Sequence, residues 1–395
     1  MFSWPDTVNE TEQRLDWLNS GVVPLTGSAD GPPLIPPGNA AVVANRLGSF
    51  VGARVDGARL LSERAAFTGR KRSGNVSVGG KTRLLPTSDG WAAVSCAREN
   101  DPILLGAMIS ETISGHPWPA VAAWLSEHPG AELAERASML GIAAGPIQRN
   151  ATPVPTPTDR RCVDGMLVID FSALWAGPLC AHLLGDAGAR VVKVETPTRP
   201  DGARSGNPEF YSLLHGGHES VVLDPDTPAG RSALANLVEK ADIVIEASRP
   251  RALAGFGLDA ETAVAAGTTW VSITAAGRNS PRIGFGDDIA ASSGLVAQQH
   301  SGLPVFVGDA IADPLAGLLA AALAMSEPPS GVGYLWDISM ADLASSTLPS
   351  HPHAGNSEHG ARSVALPHKR AGIGIAPPSG ADTEVVLRSL GINVA

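Results

Sequence analysis

The chain has 395 residues, 44% of them hydrophobic and 17% charged, with 44 Gly and 32 Pro, which describes a folded protein with many turns and enough length for two cores. Its formal net charge of −10 argues against a nucleic-acid partner, because phosphate backbones need clustered Lys and Arg, but leaves room for one local basic pocket. Cys96, Cys162 and Cys180 show no CxxC spacing, so no disulfide framework and no metal site are expected, which fits a reducing cytoplasm. The acidic start MFSWPDTVNETEQRLDW lacks a signal peptide's basic start and apolar core. The apolar run from Pro314 to Met325 is far shorter than a bilayer span, so no membrane partner is expected.

Residues 9–19 read as a short helix with Thr7 or Asn9 as cap. Residues 20–38 are too rich in Gly and Pro for regular structure, and the more helical AAVVANRLGSFVGARVDGARLL completes a partly helical N-terminal segment, 1–62. Residues 63–84 are polar and basic; the run GRKRSGNVSVGGKTR is either a solvated loop or an anion contact. After the turn SDG, WAAVSCA reads as a strand, and Asp101 to Leu140 as two or three helices. These make a small α+β domain, 63–148. ATPVPTPTDR has no apolar period and marks a Pro/Thr linker, 149–162.

From 163 to 345 the pattern is regular. Strands are expected at 166–171, 189–195, 220–224, 242–247 and 269–275, with helices at 178–187, 228–240 and 259–266. Thr227 and Pro228 suit the cap and first position of one helix. A Gly-rich region at 284–317 precedes a helix after Asp313, and 331–344 adds a strand and a helix start. Residues 346–395 read as a flexible tail with a short terminal helix, TEVVLRSLG. The fold class is therefore α/β: an open, mostly parallel Rossmann-like sheet domain with a separate small α+β domain. Ligands in such sheets sit at the carboxyl ends of the strands, here near Ser172 to Gly177.

No GxGxxG follows the first strand, and no P-loop, HExxH or Gly-x-Ser-x-Gly elbow is present. His182 and Asp186, four apart on one helix, read as a surface hydrogen-bonded pair; a metal pair lacks a third ligand. His215 and His218 serve a turn or contact a substrate or phosphate. Asp313 before Pro314 has the form of a helix cap, and a cap is compatible with chemistry, since helix-end amides stabilise a carboxylate. Of Asp287 and Asp288, either both are solvated or one orients a catalytic group.

Several motifs, in order, resemble the class III CoA-transferases, the family of formyl-CoA transferase, carnitine CoA-transferase and the 2-methylacyl-CoA racemases. They are VIDFSALWAGPLCAHLLGDAGARVVKVE, SVVLDPDTPAGRSALANLVEKADIVIEASRPRALAGFGLD, VGDAIADPLAGLLAAALAM and GVGYLWDISMADL, together spanning about 165–345. The resemblance implies transfer of CoA from an acyl-CoA to a carboxylic acid by a nucleophilic aspartate, which falls on Asp313. It implies a homodimer, with CoA or acyl-CoA as substrate and no tightly bound cofactor. CoA would run along Ala173, Leu174, Trp175, Ala176, Glu195, Thr196 and Ala247, with Arg199, Arg249 and Arg251 on its phosphates. Amides at Ser293, Gly294, Gly302 or Gly308 would stabilise oxyanions.

The chain also departs from the family. LLPTSDGWAAVSCA and GIAAGPI resemble the family's small domain, which normally follows the sheet motifs. Residues 20–41 resemble a worn copy of the nucleophile region, with Asn39 where an Asp is expected. This reads 1–148 as the remnant of a degenerate second family half, or as a rearranged protomer. Trp175 replaces the family's CoA-contacting Gln, where it narrows the pocket, stacks on adenine or simply packs in the core. Ala247-Ser248 replaces Asn-Phe, His218-Glu219 a basic pair, and Gly255 an Arg. Phe285-Gly286-Asp287-Asp288 lacks the racemases' His, which disfavours racemisation. A catalytically weak CoA- or acyl-CoA-binding protein is the alternative from another class.

Overall fold

The computed structural model describes residues 4, 9–149, 152–248, 250–329, 331–349 and 363–392. Asn9 accepts the Thr11 amide and starts α1 (Glu10–Asn19), while the other candidate cap, Thr7, lies outside the described residues. After a 3-10 turn at Val23–Leu25 come α2 (Ala40–Val51), α3 (Gly57–Leu60) and α4 (Glu63–Thr68). The strands β1 (Thr82–Thr87) and β2 (Gly90–Ser95) form a hairpin. Helices α5 (Asp101–Ile109), α6 (Trp118–Glu127) and α7 (Gly130–Leu140) lead to β3 (Ala144–Pro146). The antiparallel sheet β1-β2-β3 packs Leu85, Ala92 and Val94 against Leu105, Val121, Leu125 and Leu133, making a small α+β layer.

From Leu167 strands and helices alternate. In order they are β4 (Leu167–Asp170), α8 (Ala176–Asp186), β5 (Arg190–Glu195), α9 (Pro208–His215), β6 (Glu219–Val222), α10 (Pro228–Lys240) and β7 (Ile243–Glu246). Then come α11 (Pro250–Ala254), α12 (Ala260–Ala265), β8 (Thr269–Thr274) and α13 (Gly286–Ser292), a short hairpin of β9 (Val296–Gln298) and β10 (Pro304–Phe306), α14 (Ala312–Ala324), β11 (Tyr334–Ser339), α15 (Met340–Ser346) and α16 (Thr383–Ser389). Runs such as LVID and IVIE lack polar alternation because both faces of a parallel sheet are covered.

Six strands lie in the order β6-β5-β4-β7-β8-β11, all parallel. The order reverses between β4 and β7, and that reversal opens a crevice at the carboxyl ends of those two strands. The open parallel sheet expected from the sequence is therefore present, with a smaller sheet beside it.

Helix α14 is apolar all round and is buried along its length except at Asp313. Leu179 and Leu183 of α8, Leu318 and Leu319 of α14, and Trp17, Leu47, Leu60 and Leu61 share one core, so residues 10–68 cover this face of the sheet. The other face carries α10, α12 and α16. The segment after 152 is pinned: Arg160 Nη2 donates to Val51 O (2.9 Å) and Arg161 Nη2 to Thr269 Oγ1 (2.8 Å). Residues 363–382 are anchored by Ala365 N to Leu18 O (2.9 Å) and by Arg370 Nε to Glu63 Oε1 (2.6 Å). Among the described residues no helix is long and apolar enough to cross a membrane.

Candidate active site

The turn after β4 is built around buried charge. Ser172 donates its amide (2.8 Å) and its hydroxyl to Asp170, and Lys193 Nζ donates to Ser172 O at 2.7 Å. Lys193 also lies 3.0 Å from Asp201 Oδ2, and Asp201 Oδ1 accepts the Leu174 amide at 3.0 Å. This holds Leu174 at φ 72°, a left-handed conformation that costs a branched residue free energy and is kept only where its surroundings impose it. Ala173 and Leu174 are thereby exposed at the carboxyl end of β4, while Ala176 is buried as the first residue of α8.

Trp175 does not line a mouth. It is 1% exposed, with Phe210 edge-on at 5.4 Å and the Arg64 guanidinium 4.9 Å above its ring. A role in adenine stacking or acyl selection is thus corrected: the ring is a core strut. Trp175→Ala is expected to lower unfolding free energy by about 3–5 kcal/mol in urea titration, the usual cost of truncating a buried Trp. A stable variant with shifted acyl preference would restore the mouth role.

Glu195 is also structural. It is 5% exposed, accepts Arg204 Nε at 3.0 Å and the Asp201 amide at 2.7 Å, and has no face left for a ligand. Thr196 and Ala247 are half-buried at the ends of β5 and β7. Arg199 and Arg251 are exposed, and neither has an ion-pair partner among the described residues; Arg249 lies outside them.

Asp313 sits in the first turn of α14, but not as its cap. Ile311 flanks the helix, and Asp313 spends its amide on Ala310 O (2.9 Å) without using its side chain as a cap. Pro314 fits because the first turn needs no amide donor. One turn on, Gly317 lies so close to α8 that a Cβ there would stand 2.6 Å from Ala176 O. This close approach brings the head of α14 to the Ala173–Ala176 turn. A Cβ on Gly286 would lie 2.7 Å from Asp313 Oδ2, so the head of α13 also leaves room for this carboxylate.

The surrounding charges are uneven. Removal from water pushes the Asp313 carboxyl up to about 7; Arg64 opposes this, and Asp287 and Asp309 add to it. Asp287 is raised as well, first by burial and then by Asp309, and its Oδ1 accepts the Ala310 amide at 2.8 Å. That bond supports Ala310 at φ 49°, so Asp287 is not simply solvated but holds the turn before Asp313. Asp288, 0% exposed, closes a capping box by accepting the Phe285 amide, and burial raises it to about 7.

The four predicted oxyanion amides are already used. Ser293 N donates to Ile289 O, Gly294 N to Ala291 O, Gly302 N to Gln299 O and Gly308 N to Thr26 Oγ1. Gly302 is at the exposed hairpin tip, and Ser293 lies past the far end of α13. The histidines are likewise withdrawn. His182 is 2% exposed rather than on the surface, with Nε2 3.3 Å from Asp186 Oδ2, and burial lowers it to about 3. His215 and His218 meet edge-on inside the same cluster, 5.6 Å apart and both buried, and burial pushes both down, which disfavours the substrate-contact role.

The residue that sequence reading missed is Arg64. Its Nε donates to Asp309 Oδ2 at 2.9 Å and its Nη2 to Asp309 Oδ1. Residues 63–68 form α4, just before the run read as a loop or anion contact, and Glu63 is 1% exposed. The signal was the apolar spacing of Leu60, Leu61 and Ala65 around the charges. Arg72 in the following basic run clips Ser28 O (2.9 Å) and Gly31 O (2.6 Å).

The sequence profile of CoA-transferase family III matches residues 163–373, more than half of the chain. The chain belongs to CoA-transferase family III. It is 29% identical over 218 residues to the succinyl-CoA–D-citramalate CoA-transferase of Chloroflexus aurantiacus, covering 50% of this chain and 54% of that protein. It is 31% identical over 216 residues to the succinate–glutarate CoA-transferase of Agrobacterium fabrum, covering 49% and 54%. A crystal structure of a CAIB/BAIF family protein from Brucella suis aligns at 28% identity and TM-score 0.42, over 47% of this chain and 55% of that one. The chain spans about half the length of the curated relatives it matches. The family III stretch includes Asp313 and every predicted CoA contact, but not Arg64.

Proposed function

We propose that this chain transfers CoA from an acyl-CoA to a free carboxylic acid, with Asp313 as the nucleophile. One observation carries the reading: the Asp313 carboxylate is half-buried and not spent as a cap at the head of α14, which packs closely on the first residue of α8 beside the crevice where the sheet order reverses. A carboxylate with pKa about 7 is available as anion near neutrality, and its lost hydration raises its nucleophilicity.

A carboxylate oxygen of Asp313 attacks the thioester carbonyl, the C–S bond breaks, and the thiolate leaves with its electron pair. The mixed anhydride is then attacked by that thiolate at the Asp313 carbonyl carbon. The first acid leaves as a carboxylate, and an aspartyl-CoA thioester remains. The acceptor carboxylate attacks this thioester, and the released thiolate attacks the new acyl carbonyl. Acyl-CoA forms and Asp313 is restored. The pantetheine would pass Ala173, Leu174, Thr196 and Ala247, and Arg199 and Arg251 suit phosphates. One relative is named for succinyl-CoA and D-citramalate and the other for succinate and glutarate, so succinyl-CoA is the first donor to assay, with glutarate as the first acceptor. Hydroxylamine added during turnover should convert Asp313 to a hydroxamate detectable by peptide mass; turnover without that mark would end the reading.

A second reading, CoA binding without transfer, is favoured by the four occupied loop amides. Tight CoA binding in calorimetry with no exchange would select it. Helix α2, led by Asn39, packs on α14, which fits 1–148 either as a worn family half or as part of a rearranged protomer. A homodimer in the cytoplasm completes the proposal; a monomer in light scattering at micromolar concentration would remove the dimer.

A further inference from the structure

Arg64 joins the two parts of the candidate site. It covers the Trp175 ring beside the crevice and clamps Asp309, four residues before Asp313. Its own helix is held from the other side, where Glu63 receives Arg370 Nε at 2.6 Å and Nη2 at 2.9 Å. The guanidinium is therefore fixed in position before any ligand arrives.

A guanidinium carries five N–H donors in a planar fork. Asp309, with 0% exposure, takes the Nε–Nη2 edge. The clamp on Asp309 uses Nε and Nη2, so the Nη1 side of the fork is not part of it, and the side chain keeps 23% exposure. No ion pair joins Arg64 directly to Asp313, although Arg64 is the first of the charges acting on that carboxylate. The loop amides that were expected to serve an oxyanion are bonded elsewhere.

We propose that Arg64, supplied by the segment before the family III stretch, binds the carboxylate of the acceptor acid through the Nη1 side of its fork and places it beside Asp313. This rests on the transferase reading. Its second consequence is electrostatic: the fixed cation favours the ionised Asp313.

Removing Arg64 alone would strand the buried Asp309, so the comparison is between Asp309→Asn and the double variant Arg64→Gln/Asp309→Asn, both checked by thermal melting. Relative to Asp309→Asn, the double variant should raise KM for glutarate about tenfold or more, since a charge-assisted pair is lost. KM for succinyl-CoA should change little, and the acid limb of the pH–rate profile should move to higher pH. Arg64→Lys should keep the limb but still raise KM for glutarate, because an ammonium lacks the fork. Calorimetry of glutarate binding to Asp313→Asn, with and without Arg64→Gln/Asp309→Asn, needs no turnover and so stands apart from the nucleophile assignment. Unchanged glutarate KM with an unmoved acid limb in the folded double variant, or equal glutarate affinity in calorimetry, overturns the proposal.

Discussion

Asp313→Asn is expected to give a folded protein that still binds CoA, loses transfer by on the order of 10⁴-fold or more, and yields no hydroxamate. The wild-type rate should fall on the acid side with a midpoint near the Asp313 pKa of about 7, because only the carboxylate attacks. The same substitution should raise stability above neutrality. The carboxyl ionises at about 7 when folded, against 3.8 for an ordinary Asp, so the folded state disfavours the charged form. Below the ordinary value both proteins carry no charge there and melt alike. The gap opens as pH rises from that value to about 7 and stays constant beyond. A variant that is both inactive and no more stable at pH 8 than at pH 4, relative to wild type, would mean that Asp313 is well hydrated. Full activity in the variant would remove Asp313 from the chemistry altogether.

The sheet was legible because most of its strands are short Val- and Ile-rich runs between turn residues, and Thr227 does cap α10 by accepting the Gly230 amide at 3.0 Å. Asp313 was also legible, but for the wrong local reason. An Asp before a Pro signals a cap, whereas this helix begins two residues earlier and leaves the side chain unspent. The glycines chosen for the oxyanion were picked for backbone freedom. Sequence does not reveal that a hairpin or a helix end already uses their amides. Trp175 failed similarly, since a turn sequence does not tell which of its residues points inward. Arg64 was out of reach because its partner Asp309 lies 245 residues away, and pattern reading sees only neighbours.

Lys193→Met should cost about 3–5 kcal/mol of stability at neutral pH, the usual penalty for leaving buried charge without its partner. Lys193 is 2% exposed, and two carboxylates depend on it: Asp201 at 3.0 Å and Asp170 at 3.9 Å, 4% and 0% exposed. Burial already raises the Asp170 pKa, with Lys193 the main opposing charge. Without that cation Asp170 is pushed further toward its protonated form in the folded state, so the deficit is greatest at neutral pH and shrinks as Asp170 takes up a proton on acidification. The local effect reaches the crevice, because Lys193 holds Ser172 O and Asp201 holds the Leu174 amide. CoA affinity should therefore fall together with stability, and adding Asp170→Asn should recover part of the stability without restoring the affinity. Urea titration at pH 7 and pH 5, with CoA calorimetry, reads all three. Equal stability of Lys193→Met and wild type at pH 7 would show that Asp170 is already neutral in the native protein, and that the turn at the switch point stands without the lysine.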